Sequence, residues 1–176
     1  SQKTAGDTGE NVLSTKTGAA TVNSGTADTT IKGNATVAGA LGVTTSTGAI
    51  NVGDSDHKYT LSSTGSTTNI STTSGAINLY GSATSATGTS ISTNNTSAAN
   101  IKVTGSVSST GDSGNTSIKT NNGTIAVDGG VSSAKGSVEV GTTTGTITIG
   151  TSSAAANVSA GTTAGITSTN SDITVY

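Results

Sequence analysis

The sequence predicts an all-β protein, a single-stranded parallel β-helix or β-solenoid of about seven coils of 21–30 residues each. Three observations predict this fold: a recurring apolar pattern, apolar–polar alternation at the end of each copy, and a composition dominated by small residues. Glycine supplies 25 of the 176 residues, whereas aromatic residues make up 2% and charged residues 9%. So low a charge argues against ordinary disorder, which combines weak hydrophobicity with high net charge.

The repeated unit is φ-x-T-x-x-G-x-φ-x-φ, where φ stands for an apolar residue. Seven copies follow this pattern, one of them with three extra residues and the last one degenerate; they begin at Leu13, Val43, Ile70, Ile91, Ile118, Val140 and Ile166. Successive copies start 30, 27, 21, 27, 22 and 26 residues apart, in or close to the range of solenoid coils. The unequal spacing predicts loops that absorb the variation.

The first three positions of each copy predict a strand in which the apolar residue and the threonine share one face. On that face the threonine methyl is buried and its hydroxyl bonds along the stack, and Ser168 takes this place in the last copy. The glycine that follows predicts a corner where φ is positive or another backbone packs closely. The corner glycines are Gly18, Gly48, Gly75, Gly123 and Gly145.

The φ-x-φ ending predicts a second strand, because both apolar residues point to one face and the residue between them points away. One coil cannot bury its own apolar face, so coils stack and their aliphatic residues form internal columns. The predicted core ladder is Val43, Ile50, Val52, Ile70, Ile77, Leu79, Ile101, Val103, Ile118, Ile125, Val127, Val140, Ile147, Ile149, Ile166, Ile173 and Val175.

Weaker apolar positions between the copies predict a further strand in each coil; they are Ile31, Val37, Leu61, Val107, Val131 and Val158. We expect an irregular lead-in over residues 1–11 and a loop insert at residues 53–60. The whole of residues 1–176 is interpreted as one solenoid segment, a fragment or subunit of a longer rod. Because open sheet edges attract further strands, neighbouring solenoid segments or end-to-end copies of the chain are the expected partners.

Four segments of the chain are similar to one another. They are TSTGAINVG (45–53), TTSGAINLYG (72–81), TNNGTIAVDGG (120–130) and TTTGTITIG (142–150). These segments resemble repeats of the filamentous haemagglutinin-like exoproteins, which include high-molecular-weight adhesins exported by two-partner secretion, and the resemblance covers nearly the whole chain from about residue 12. It implies a right-handed β-helix, an extracellular location on the bacterial surface and an adhesive function, with host-cell or surface glycans and receptors as candidate ligands. That family's amino-terminal secretion domain carries an Asn-Pro signature, which this proline-free chain lacks.

Charge and hydropathy disfavour two classes of partner. The seven lysines are scattered singly and the net charge is −2, so there is no basic patch to hold nucleic acid. No apolar run approaches the roughly 18 residues of a membrane-spanning helix, and we predict no membrane insertion.

The densest polar cluster is Asp54-Ser55-Asp56-His57-Lys58-Tyr59, which contains the only histidine. Two carboxylates and an imidazole can bind a cation, but Lys58 opposes one, and a solvated loop is the favoured interpretation. The remaining acidic residues are scattered, and arginine and tryptophan are absent. We therefore predict no metal, no cofactor and no catalysis.

Three functions remain in order of preference. The first is a structural or adhesive extracellular stalk of a bacterial surface exoprotein, and the second is a subunit of a self-assembling extracellular fibre. The third is ice binding by a regular array of outward hydroxyls. It is disfavoured because Lys16, Lys119 and Gly141 interrupt the positions that flank the repeated threonine.

Overall fold

The computed structural model describes residues 13–15, 18–94 and 98–176, and it confirms the predicted all-β solenoid. Its 21 strands form three parallel sheets of seven strands each, and the described residues contain no helix. Each coil contributes one strand to each sheet, so every coil has three sides. The lead-in predicted over residues 1–11 lies outside the described residues.

The strands are numbered in chain order and grouped by sheet. Sheet A contains β1 (Leu13–Thr15), β4 (Ala35–Val37), β7 (Tyr59–Ser63), β10 (Gly81–Ser85), β13 (Val107–Ser109), β16 (Val131–Ser133) and β19 (Val158–Ala160). Sheet B contains β2 (Ala20–Asn23), β5 (Leu41–Thr45), β8 (Thr67–Thr72), β11 (Gly88–Thr93), β14 (Asn115–Thr120), β17 (Val138–Thr142) and β20 (Ala164–Ser168). Sheet C contains β3 (Thr29–Ile31), β6 (Ile50–Val52), β9 (Ile77–Leu79), β12 (Ile101–Val103), β15 (Ile125–Val127), β18 (Ile147–Ile149) and β21 (Ile173–Val175).

Strands of successive coils pair in register, so that equivalent residues form columns along the stack. In sheet C, Ile77 lies between Ile50 and Ile101, and Ile125 lies between Ile101 and Ile147. The branched side chain of isoleucine packs well on such a pleated surface. The register therefore converts a sequence repeat of unequal length into a continuous aliphatic column.

The core lies inside the three sheets and is filled by the predicted ladder over most of its length. The ladder residues from Val43 to Ile149 are at most 1% exposed. The prediction is wrong for Ile173 and Val175, which are 41% and 48% exposed, and Ile166 is only half-buried. These three residues lie on β20 and β21, each of which has a neighbouring strand on one side only.

The predicted first copy of the repeat is aligned one strand too early. Leu13 lies in sheet A and pairs with Ala35, whereas the residue that stacks on Val43 is Val22. The true first copy, Val22 to Ile31, carries Ser24 in place of threonine and Ala27 in place of glycine, so it escapes the pattern. Ile31 accordingly pairs with Val52 in sheet C and does not belong with the third strand.

The corner glycines are required by close approach of backbones and not by positive φ. A β-carbon added at Gly75 would overlap the carbonyl oxygen of Gly48 in the preceding coil, and Gly48, Gly123 and Gly145 face equivalent overlaps. At Gly18 no described residue lies within 4 Å of that position, and Gly18 stacks with Gly39 at a different corner. The glycines with positive φ are others: Gly25, Gly33, Gly53, Gly81 and Gly150.

Candidate functional site

A shallow groove of about 480 Å³ crosses the outer face of sheet B near the carboxyl ends of its strands. Four lining residues stack in register, one from each of four successive coils: Asn23, Thr44, Ser71 and Ser92. They lie 21, 27 and 21 residues apart in the sequence, so only the stacking of coils brings them together. Every described residue that lines the groove is a serine, threonine, asparagine or glycine.

Buried threonine hydroxyls fix the chain beneath the groove. The hydroxyl of Thr72 donates to the carbonyl of Gly48 at 3.1 Å and accepts from the backbone N–H of Gly75 at 3.0 Å. The hydroxyl of Thr45 donates to the carbonyl of Gly25 at 2.7 Å and also lies 3.0 Å from the carbonyl of Ala27. These two threonine hydroxyls are therefore already hydrogen-bonded to backbone groups of the coil corners, and they hold the backbone beneath the groove in place.

The outward hydroxyls of the groove differ from these buried ones in their hydrogen bonding. Among the described residues, the side chains of Thr44, Ser71 and Ser92 make no hydrogen bond, and all three are half-buried. At the end of the groove, Asn94 accepts a hydrogen bond from the side-chain amide of Asn121 at 3.0 Å through its oxygen. Its own amide nitrogen remains a donor. The groove thus offers one free hydroxyl per coil over three coils.

The row of outward residues formed by Asn23, Thr44, Ser71 and Ser92, called the sheet B file below, continues to a lysine that is already in an ion pair. Lys119 follows Ser92 in register and forms an ion pair with Glu139, with 2.7 Å between Nζ and Oε1. Because both side chains are about half exposed, water and salt screen this pair and it contributes little to stability. The carboxylate of Glu139 therefore balances the positive charge of Lys119 at this end of the groove.

The loop insert predicted at residues 53–60 is slightly shorter than predicted, since β6 ends at Val52 and β7 already begins at Tyr59. His57 Nδ1 lies 2.9 Å from Asp54 Oδ1, and this hydrogen bond lowers the pKa of Asp54; backbone N–H groups of His57 and Asp56 act in the same direction. Asp56 is exposed and bonds only to its neighbours. Among the described residues, no three histidine or carboxylate side chains come together at a site for a metal ion.

Two of the scattered acidic residues form ion pairs with lysines in the fold. Asp112 pairs with Lys135 on the outside, with 2.7 Å between Oδ1 and Nζ, and Glu139 pairs with Lys119. Asp7 and Glu10 lie outside the described residues. Both of these ion pairs have side chains that are about half exposed or more, so they lie on the outer surface.

Sequence reasoning missed a second hydroxyl array, on the outer face of sheet A. The outward residues of six successive strands are all serine or threonine: Thr36, Ser62, Thr84, Ser108, Ser132 and Ser159. Within it, the hydroxyl of Thr84 donates to that of Ser62 at 3.1 Å. The sequence predicts five of these strands through Val37, Leu61, Val107, Val131 and Val158, but serine and threonine are so common in the chain that the array beside those positions does not stand out.

Comparison with models of protein families, with curated proteins and with solved structures finds no match to this chain. The structure therefore supports the β-solenoid repeat fold, and the likeness to the adhesin family remains a resemblance of repeat sequences. Across residues 13–15, 18–94 and 98–176, no helix is long and apolar enough to cross a membrane.

Proposed function

We propose that this chain is a length of a structural or adhesive stalk on the bacterial cell surface, without catalysis. The observation that carries the proposal is the unbroken register of all three seven-stranded sheets. In such a stack each coil contacts only its neighbours, so added coils extend the same structure in one direction. A fold of this kind separates a binding end from an anchored end, which is the task of a stalk.

The chemistry of the outer faces supports the same proposal. The outward residues of sheet A are small hydroxylated side chains, and the described lining of the groove on sheet B is uncharged. Such a surface stays hydrated without presenting the basic patch of a nucleic-acid-binding protein. The resemblance to haemagglutinin-like repeats points in the same direction.

The test is immunogold labelling of intact and of sectioned cells of the source organism with antibodies raised against the folded chain. We expect label outside the cell envelope, at a distance from it. Label confined to the cytoplasm would refute the stalk and the extracellular location together. Antibodies absorbed with the purified chain are the matched control.

A self-assembling fibre is a second candidate, and the edge-to-edge pairing of successive coils in all three sheets favours it. Coils of another copy can continue such a stack by the same pairing of strand edges. Negative-stain electron microscopy of the purified chain distinguishes the candidates: filaments that lengthen with concentration favour the fibre, and uniform particles argue against it.

Ice binding is the weakest candidate, and the hydroxyl array of sheet A is the observation in its favour. The file that the sequence suggested on sheet B is interrupted by Lys119 and Gly141, whereas the file from Thr36 to Ser159 is continuous. A thermal hysteresis measurement tests it. Hysteresis that is lost when Ser108 and Ser132 are replaced by lysine would favour ice binding over the stalk.

A further inference from the structure

We propose that the stack of coils is an extensible tether, which unwinds one coil at a time under tension along its axis and is held at each coil by sheet B. The proposal rests on the proposed stalk and names what the stalk does when it is pulled. Its starting point is the direction of the ladder hydrogen bonds. Strands of successive coils are neighbours along the axis of the stack, so the bonds between them run along that axis as well.

Tension along the axis loads these bonds one after another. A pulled coil separates from its neighbour strand by strand around the perimeter, because the chain leaves the coil at a single point. The strands of each described coil pair only with strands of the adjacent coils. The loss of one coil therefore leaves the next coil with the same kind of contacts to its remaining neighbour. We expect a succession of separate steps and no single rupture of the whole stack.

Sheet B has the longest ladders between coils. Its strands from β5 to β20 contain five or six residues each, whereas those of sheet A contain three or five and those of sheet C contain three. In register, β8 and β11 of sheet B pair over six residues, whereas β9 and β12 of sheet C pair over three. A coil that is peeled from the stack therefore loses more backbone bonds at sheet B than at either other sheet.

Buried threonines at both ends of the sheet B strands add side-chain bonds between coils. At the amino-terminal end, the hydroxyls of Thr68, Thr89 and Thr116 donate to carbonyl oxygens in sheet A of the next coil at 2.7–2.8 Å. At the carboxyl-terminal end, Thr72 and Thr142 donate to carbonyl oxygens of the preceding coil. The inward positions of sheet C from β6 to β18 are aliphatic and offer no hydroxyl. Sheet B is therefore the side at which an unwinding coil is held longest.

The length of chain between successive strands differs between the sheets. One column of sheet B consists of Val22, Val43, Ile70, Ile91, Ile118, Val140 and Ile166. These residues lie 21, 27, 21, 27, 22 and 26 residues apart, so short and long coils alternate. In sheet C, Leu79, Val103 and Val127 lie 24 residues apart, and β10, β13 and β16 of sheet A have the same spacing. The size of an unwinding step thus identifies the sheet at which the chain pauses.

The experiment is a constant-force measurement in optical tweezers on the full chain, with handles attached to its two ends. An extended residue contributes about 3.5 Å of contour length, and each lost coil subtracts about 4.8 Å of strand spacing. Pauses at sheet B predict steps that alternate between about 70 Å and about 90 Å, whereas pauses at sheet A or sheet C predict two central steps of about 80 Å. We expect the alternating steps.

Three matched substitutions test which sheet holds the coil. Val140, Val127 and Val131 are fully buried and lie in sheets B, C and A. We expect Val140→Ala to shorten the pause at β17 about tenfold, because it removes buried contacts from the strand whose opening rate sets the pause. Val127→Ala and Val131→Ala should leave the pauses unchanged, and the unaltered steps of the other coils show in the same trace that the chain is folded.

Three results would overturn the proposal: a single rupture of the whole stack, two central steps of equal length, or equal shortening of the pause by all three substitutions. The tether and the stalk fail independently. Immunogold label on the cell surface together with a single rupture refutes the tether and leaves the stalk intact. Label confined to the cytoplasm refutes the stalk whatever the tweezers record.

Discussion

At the residue scale, the coil corners depend on buried hydroxyls that bond in two directions. Thr142 donates to the carbonyl of Gly123 one coil below at 3.1 Å and accepts from the N–H of Gly145 at 3.1 Å. Thr72 makes the same pair of bonds with Gly48 and Gly75. Each hydroxyl therefore satisfies a backbone donor and acceptor that would otherwise be buried without a partner.

A column of serines plays the same part at the corner between sheets A and B, with one exception. Ser133 accepts from the N–H of Gly136 at 2.8 Å and donates to the carbonyl of Gly114. Ser109 is equally buried, but its hydroxyl has no partner among the described residues. The turn after Ser109 is longer, since β14 begins six residues later at Asn115.

We therefore expect Ser133→Ala to lower the free energy of unfolding by about 1–3 kcal/mol, because it leaves two buried backbone groups unpaired. Ser109→Ala should change it by less than about 0.5 kcal/mol, because no bond is lost. Urea denaturation followed by circular dichroism measures both. Equal destabilisation by the two substitutions would mean that the hydroxyl of Ser109 has a partner in solution.

The second residue-scale prediction concerns Gly75. Its added β-carbon would overlap the Gly48 carbonyl, so Gly75→Ala should separate two coils and cost about 1–3 kcal/mol. Gly18→Ala should be tolerated, because no described residue lies within 4 Å of its β-carbon position. Thermal unfolding of the two variants checks the pair. A large loss at Gly18 would show that this residue is packed as closely as the glycines of the corner column.

At the scale of the strand, the alternation of apolar and polar residues in the sequence predicts the strands of sheet C and the carboxyl-terminal half of the strands of sheet B. Ile125 and Val127 flank Ala126 in β15, and every equivalent strand from β6 to β18 has the same buried–open–buried order. Sheet A is harder to predict, because Ala83 and Ser85 occupy inward positions where no apolar pattern distinguishes them from loop residues. The sequence nevertheless predicts five of its strands, through Val37, Leu61, Val107, Val131 and Val158, and β10 becomes visible only through its pairing with β7 and β13.

The strand-scale prediction contrasts the two faces of β15. Ile125 is fully buried, so Ile125→Asp places an unpaired carboxylate in the core and should cost more than about 4 kcal/mol, enough to abolish cooperative unfolding. Ala126 points outward and stands beside Lys102 in register, so Ala126→Asp should change stability by less than about 0.5 kcal/mol. Denaturant titrations of both variants test this. Similar losses would contradict the assignment of inside and outside.

At the scale of the whole molecule, the candidate site depends on information that no local pattern contains. Unequal numbers of residues separate the groove residues Asn23, Thr44, Ser71 and Ser92 along the chain. The predicted repeat also places the first coil one strand too early. Their alignment is set by the stacking of the aliphatic columns, which is a property of the assembled fold. The repeat can therefore predict the scaffold, while the surface that the scaffold presents has to come from the structure.

The last prediction uses the equivalence of coils. Deleting residues 125–146 removes β15, β16 and β17, one strand from each sheet, and joins Thr124 to Ile147. The corner sequence stays intact because Thr120 and Gly123 replace Thr142 and Gly145, and the shortened chain should fold with cooperative unfolding and a smaller denaturant m-value. Deleting residues 125–135 removes strands from sheets C and A only, so β17 would meet the wrong partner and cooperative unfolding should be lost. Equal behaviour of the two deletions would mean that the coil is not the unit of stability.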